Sequence, residues 1–137
     1  MIKARLAREG VQTPDIYVLL DTGADTACFN TRVAEMLAID WRSCSQVQYG
    51  GIGGGTCGYI HKVEISVGGY RYETDVIFIQ NLPRSGLFGM HGFFDRFECR
   101  FNRAGGTITL FFDEEDGRII DPRAAVNLNL NLPLRPP

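Results

Sequence analysis

The chain has 137 residues, 45% of them hydrophobic and 22% charged, with a formal net charge of −2. That length supports one domain burying roughly two-thirds of its unfolded surface, and that balance excludes a disordered chain. Acidic and basic residues are interspersed, which excludes a nucleic-acid or anionic-membrane footprint, and the short run Asp113-Glu114-Glu115-Asp116 reads as a solvated turn.

Four cysteines (Cys28, Cys44, Cys57, Cys99) are unevenly spaced and include no Cys-x-x-Cys pair, and His61 and His91 do not repair that spacing. No metal site and no cofactor are expected, and free thiols in a reducing, cytoplasmic setting are the default. The N-terminal Met-Ile-Lys-Ala-Arg lacks the apolar segment of a signal peptide, and no run approaches membrane-spanning length. Neither secretion nor membrane insertion is expected of this segment, which could belong to a longer protein.

In chain order, residues 2–8 alternate Ile, Ala and Leu with Lys and Arg, predicting a half-exposed strand. Glu9-Gly10 and Thr13-Pro14-Asp15 predict a loop. Residues 16–20 are five apolar or aromatic residues in a row, which predicts a strand buried on both faces. It ends on Asp21-Thr22-Gly23-Ala24-Asp25. An ionised carboxylate there must find water, a cation, donors or another carboxylate, because burying it unpaired costs many kcal/mol. A turn with Asp21 accepting a backbone N–H and Gly23 supplying flexibility is the bland alternative.

Residues 26–29 read as a short strand, followed by a helix over 32–38 capped by Asn30 or Thr31, with Val33, Met36 and Leu37 inward. Two strand-like arms over 46–65 flank Gly50-Gly51-Ile52-Gly53-Gly54-Gly55, predicting a hairpin with a pliable tip. A phosphate-cradling loop would need a helix to follow, whereas a strand follows here. Gly68-Gly69 turns into a strand over 70–80, residues 81–85 form a loop, and Leu87-Phe88-Gly89 precedes a short helix over 90–97. A hairpin over 98–102 and 107–112 comes next. Val126, Leu128, Leu130 and Leu132 alternate with asparagines, an edge strand that either docks on its own core or pairs across a subunit interface. The sum is an all-β, closed-barrel-like architecture with one or two short helices.

Three features together resemble the retropepsin-like, single-domain aspartic proteases over about residues 2–112: Leu19-Leu20-Asp21-Thr22-Gly23-Ala24, the glycine-rich hairpin, and Leu87-Phe88-Gly89. Viral members carry Arg after the last glycine. Met90-His91 stands here, closer to the Gly-Met-Asp of cellular members, with His91 in place of the acid.

The resemblance implies the acid-protease (retropepsin) fold with a flap hairpin over residues 1–112, and leaves residues 113–137 as an extension. It implies an aspartic endopeptidase acting on extended polypeptide. One chain carries one such loop, so the second carboxylate would come from a second copy: a homodimer with two Asp21 side chains on its axis. Asp21, Thr22 and Gly23 would be catalytic. Ala24, Asp25, Gly50, Gly51, Ile52, Gly53 and Leu87 would bind peptide. Arg5 or Arg8 of the second subunit would be the cation for Asp25.

Two other classes compete. One is a retropepsin-like module that binds peptides or dimerises without cutting, and the other is a β-barrel scaffold with a chance tripeptide. A cysteine hydrolase through Cys57 and His61 is excluded, since residues four apart in a strand stand about 13 Å from each other.

Overall fold

The computed structural model describes residues 1–49, 55–111 and 126–130. Strand β1 (Ile2–Arg8) shows the expected alternation, burying Ile2, Ala4 and Leu6 while Lys3 and Arg5 face solvent. Its first half pairs antiparallel with β3 (Ile16–Leu20) and its second half with β6 (Thr56–Val67). Between β1 and β3, Glu9 and Gly10 turn the chain back through positive φ into a two-residue strand, β2 (Val11–Gln12), in a stretch expected to be loop.

From β3 the sheet continues through β8 (Gly86–Phe88), β4 (Cys28–Asn30), β7 (Tyr70–Ile79) and β6, and the β1–β6 pairing closes a six-stranded barrel. Strand β5 (Ser45–Tyr49) pairs with β6 outside that ring, and β2 lies outside it beyond β1. β6 and β7 stay in register from Gly58↔Ile79 to Val67↔Tyr70, joined by the turn predicted at Gly68-Gly69. This all-β closed barrel with little helix is the expected fold class.

Phe88 lies at the centre of the core, fully buried, stacked on Phe93 at 4.3 Å between centroids and edge-on to Phe29 at 6.0 Å. Leu6, Val18, Val33, Ile65 and Phe78 surround the same interior. Such aromatic pairs add about 0.5–1.5 kcal/mol beyond the area they bury.

Three expectations are corrected. β3 is not buried on both faces: Ile16 and Val18 point inward, Tyr17 is 44% exposed, and Leu19 and Leu20 are half-buried. The strand is one wall of a barrel, so its outer face meets solvent. The first helix, α1 (Thr31–Met36), is capped by Asn30, whose side chain accepts from the Arg32 N–H at 2.9 Å. Its inward residues are Val33, Ala34 and the following Leu37, with Met36 turned out to 48% exposure. The helix expected over 90–97 does not form. Met90 and His91 donate their N–H groups to Ala24 and Asp25 at 2.8 Å each, and Gly92 adopts φ 95. What remains is a set of turns, with Phe94 and Asp95 reaching back to Gly89 and Met90.

β9 (Glu98–Asn102), β10 (Thr107–Phe111) and β11 (Val126–Asn129) form a separate three-stranded antiparallel sheet. The alternating tail pairs with β10 of its own chain, and Leu128 and Leu130 pack against the barrel core. Phe112 and the acidic run at 113–116 lie outside the described residues.

Candidate functional site

The loop after β3 is held from two directions. Leu19 and Leu20 pair in parallel with Leu87 and Phe88, and the Asp21 N–H donates to the Phe88 carbonyl at 3.0 Å. Farther on, Cys28 and Phe29 pair antiparallel with Leu87 and Gly86. β8 therefore runs between the strand that enters the loop and the strand that leaves it. Residues 89–91 stitch the loop itself, through the two bonds from Met90 and His91 and a third from the Ala27 N–H to the His91 carbonyl at 2.8 Å.

Glycine is required at two positions of this segment. A Cβ on Gly89 would stand 2.7 Å from the Thr26 carbonyl carbon and 2.8 Å from the Ala24 oxygen. A Cβ on Gly86 would meet the Phe29 ring at 2.3 Å. The Leu87-Phe88-Gly89 sequence thus has a local physical meaning: two strand residues that brace the loop, then a glycine thin enough to pass behind it.

Asp21 is half-buried, and its Oδ1 accepts the Gly23 N–H at 2.9 Å, which sets the carboxylate's orientation. The Asp21 carbonyl accepts the Ala24 N–H at 3.1 Å. Thr22, Gly23 and Asp25 are exposed and Ala24 is buried. The loop is therefore rigid in its backbone yet open to solvent along the edge that carries the carboxylate.

Leu87 belongs to a second apolar cluster, built on Cys28, Ile77 and Ile79 and joined by Val47, Tyr49, Ile60 and Leu82. It forms a wall beside the Asp21 loop. The β5–β6 hairpin reaches this wall because Val47 and Tyr49 share one face of β5. Gly58, opposite Val47, has no room for a side chain, since a Cβ there would lie 2.3 Å from Ile77 Cγ2. The tip residues expected to contact peptide, Gly50, Gly51, Ile52 and Gly53, lie outside the described residues. Thus Asp21, Thr22, Gly23, Ala24 and Asp25 occupy one loop, with Leu87 beside it.

Tyr49 and Cys28 escape sequence reasoning. The Cys28 thiol donates to the Thr26 carbonyl at 3.2 Å and is hydrogen-bonded to the Tyr49 hydroxyl. Burial pushes the Cys28 thiol up to about 11, and the Tyr49 bond pulls the other way. Burial also holds the Tyr49 hydroxyl above its ordinary range, followed by its bond to Cys28 and by the charges of Cys28, Asp21 and Asp25. The alternation of Val47 and Tyr49 immediately before the glycine run is the available signal, and it does not say what the hydroxyl meets. Arg5, one candidate cation for Asp25, binds Asp15 of its own chain at 2.6 Å, and Arg8 lies 3.6 Å from Glu9.

The chain belongs to the aspartyl protease family, whose model matches residues 9–91. It is similar to the solved retroviral protease-like domain of Ddi1 from Leishmania major, at 16% identity and a TM-score of 0.58. That likeness covers 97% of this chain and 94% of the other, and it is a likeness of fold. A second match is to the EIAV protease complexed with the inhibitor HBY-793, at 28% identity and a TM-score of 0.47, covering 55% of this chain and 70% of that one. No curated protein sequence matches the chain. The domain is retropepsin-like in both sequence family and fold. Among the described residues, no group of three His, Cys, Asp or Glu is placed to hold a metal ion, and no helix is long and apolar enough to cross a membrane.

Proposed function

We propose that this chain is an aspartic endopeptidase that works as a C₂ homodimer, with the Asp21 carboxylates of two copies facing each other across the axis. The observation that carries this is the Asp21 loop: pinned on both sides by residues 86–91, yet solvent-exposed at Thr22 and Gly23. A lone monomer gives that rigid, exposed loop nothing to act with, and a second copy supplies the missing acid–base partner.

In the dimer, two carboxylates so close cannot both be ionised comfortably and share one proton. The ionised Asp21 takes a proton from a water as its oxygen attacks the scissile carbonyl carbon. The protonated Asp21 gives its proton to the carbonyl oxygen as the tetrahedral species forms. The C–N bond then breaks as the leaving amine takes a proton from the dyad, while one hydroxyl of the tetrahedral species gives its proton back to the other carboxylate as the product C=O re-forms, so the dyad again holds one proton. Thr22 ties the two loops together, and Gly23 leaves room for the substrate backbone. Ala24, Asp25 and Leu87 contact the peptide, which lies extended beneath the hairpin tips at Gly50, Gly51, Ile52 and Gly53. The hairpin acts as a flap that closes over bound peptide and excludes water. The apolar wall of Leu87, Ile77 and Ile79 favours apolar side chains beside the cut.

The test compares wild type with Asp21→Asn on a mixed library of unstructured peptides, read by mass spectrometry from about pH 4 to about pH 7. Asn keeps the oxygen that accepts the Gly23 N–H and removes the ionisable group. Cleavage should fall by about 10³-fold or more and, in wild type, should rise faster than linearly with protein concentration. Peptides retained but never cut by wild type would favour the non-proteolytic binding module. Equal cutting by both proteins would place the chemistry elsewhere.

A further inference from the structure

The chain is net acidic, but three arginines gather around one loop beside the apolar wall. Leu82 and Pro83 separate two surface grooves of about 410 and 320 Å³, both bounded by α1. Arg32 lines both, Arg42 the larger and Arg84 the smaller. The carboxylate in these linings, Glu35, accepts the Trp41 indole N–H at 3.3 Å. Among the described residues, no ion pair engages any of the three guanidinium groups.

The groove is built rather than incidental. Asn30 donates its side-chain amide to the Leu82 carbonyl at 2.7 Å and its backbone N–H to the Ser85 carbonyl at 2.9 Å. That fixes the loop against the start of α1, so the arginine stems project from a fixed frame. The loop is also anchored beside the candidate site, because Leu82 packs against the same cluster of Cys28, Ile77 and Ile79 as Leu87. Arg84 lies in the bend that leads into β8, three residues before Leu87, so the chain holds the two within about 10 Å of each other. A peptide lying extended with one residue against Leu87 would come level with Arg84 about three residues away.

We propose that the groove rimmed by Arg32 and Arg84 is an extended substrate subsite that selects peptides with an acidic side chain about three residues from the one held against Leu87. The inference rests on the protease reading for its readout. Arginine matches carboxylates in geometry as well as charge, and a fixed groove wall lessens the ordering cost of the contact. The selectivity is for a side chain remote from the cut and leaves the apolar preference beside it unchanged.

The test takes one peptide that wild type cleaves and scans Glu against Gln at each position on both sides of the cut, reading kcat/KM. At one position two to four residues away, Glu should be favoured over Gln by about fivefold, mostly through KM, and the ratio should fall toward unity as salt is raised. In the double variant R32E/R84E that Glu/Gln ratio should drop to unity or below. Because the ratio is internal to one protein, a general loss of activity does not move it. No favoured position in wild type, or a ratio that survives the double reversal, would overturn the proposal. If wild type cuts nothing, the same labelled peptides are bound to the D21N protein and followed by fluorescence anisotropy. A Glu preference abolished by R32E/R84E would then keep the groove and sink the protease reading, whereas equal or absent binding would overturn the groove.

Discussion

Replacing Gly89 with alanine puts a methyl group into the backbone of the Asp21 loop. The new carbon would start 2.7 Å from the Thr26 carbonyl carbon and 2.8 Å from the oxygens of Ala24 and Thr26. Ordinary contact begins at 3.4 Å, so the loop must retreat by about 0.7 Å. None of these atoms belongs to a flexible side chain that could swing aside. Overpacking of this kind costs about 1–3 kcal/mol. Stretching the bonds from Met90 and His91 to Ala24 and Asp25 forfeits part of about 1 kcal/mol each. A total of about 3 kcal/mol is large against a typical stability of roughly 5–15 kcal/mol.

The assay is urea denaturation beside peptide cleavage. The midpoint should fall by about 1–2 M, and cleavage by the folded fraction should fall by about 10²-fold, since sub-ångström displacement of a catalytic loop is costly. Gly105→Ala is the control, because its nearest contact is the amide of the Asn102 side chain. Its midpoint should move by less than half as much. A Gly89→Ala protein with wild-type midpoint and wild-type cleavage would refute the argument that residues 89–91 hold the loop in place.

Asn30→Ala removes both the α1 cap and the side-chain bond to the Leu82 carbonyl. It should destabilise the fold by about 2 kcal/mol in the same denaturation assay. Alkaline pH should also destabilise the protein through Cys28, whose thiol titrates at about 11 when folded against an ordinary value of 9.0. The sign follows from proton binding: between those values the unfolded chain has released a proton that the folded chain keeps, so stability is full below pH 9 and declines toward pH 11. The decline should amount to about 2–3 kcal/mol from this group. Cys28→Ala should flatten the fall in melting temperature over that window, and an unchanged slope would remove Cys28 as its source. At pH 8 about one Cys28 thiol in a thousand is ionised, so iodoacetamide should label it far more slowly than an exposed cysteine peptide.

Much of the architecture is written in local pattern. Apolar alternation places β1, paired glycines place the β6–β7 turn, and Asn30, one of the two caps the sequence offers, starts α1. The resemblance of Asp21-Thr22-Gly23 and Leu87-Phe88-Gly89 to retropepsin motifs brings together two segments more than sixty residues apart, and the structure makes them strand neighbours. The segment at 90–97 shows where local pattern fails. Its apolar spacing suits a helix, but its first N–H groups are bonded to the Ala24 and Asp25 carbonyls, and a helix turn would compete for that geometry. Spacing of Val33 and Leu37 likewise could not say whether Ala34 or Met36 faces inward, because the angle of α1 against β4 and β7 decides it.

What the sequence by itself determined is therefore most of the strands, the position of the carboxylate loop and the glycine turn between β6 and β7. Only the tertiary structure decided that the alternating tail docks on β10 of its own chain, that the Tyr49 hydroxyl meets Cys28 beside the Asp21 loop, and that Arg32 and Arg84 share one groove. The physical reason is the range of the interactions. Periodicity, caps and turns are settled within a few residues, where one chain stretch contains all the information. Whether residue 28 meets residue 49, or residues 32 and 84 line one groove, depends on how a closed barrel brings distant strands to one end, and no local pattern encodes that closure.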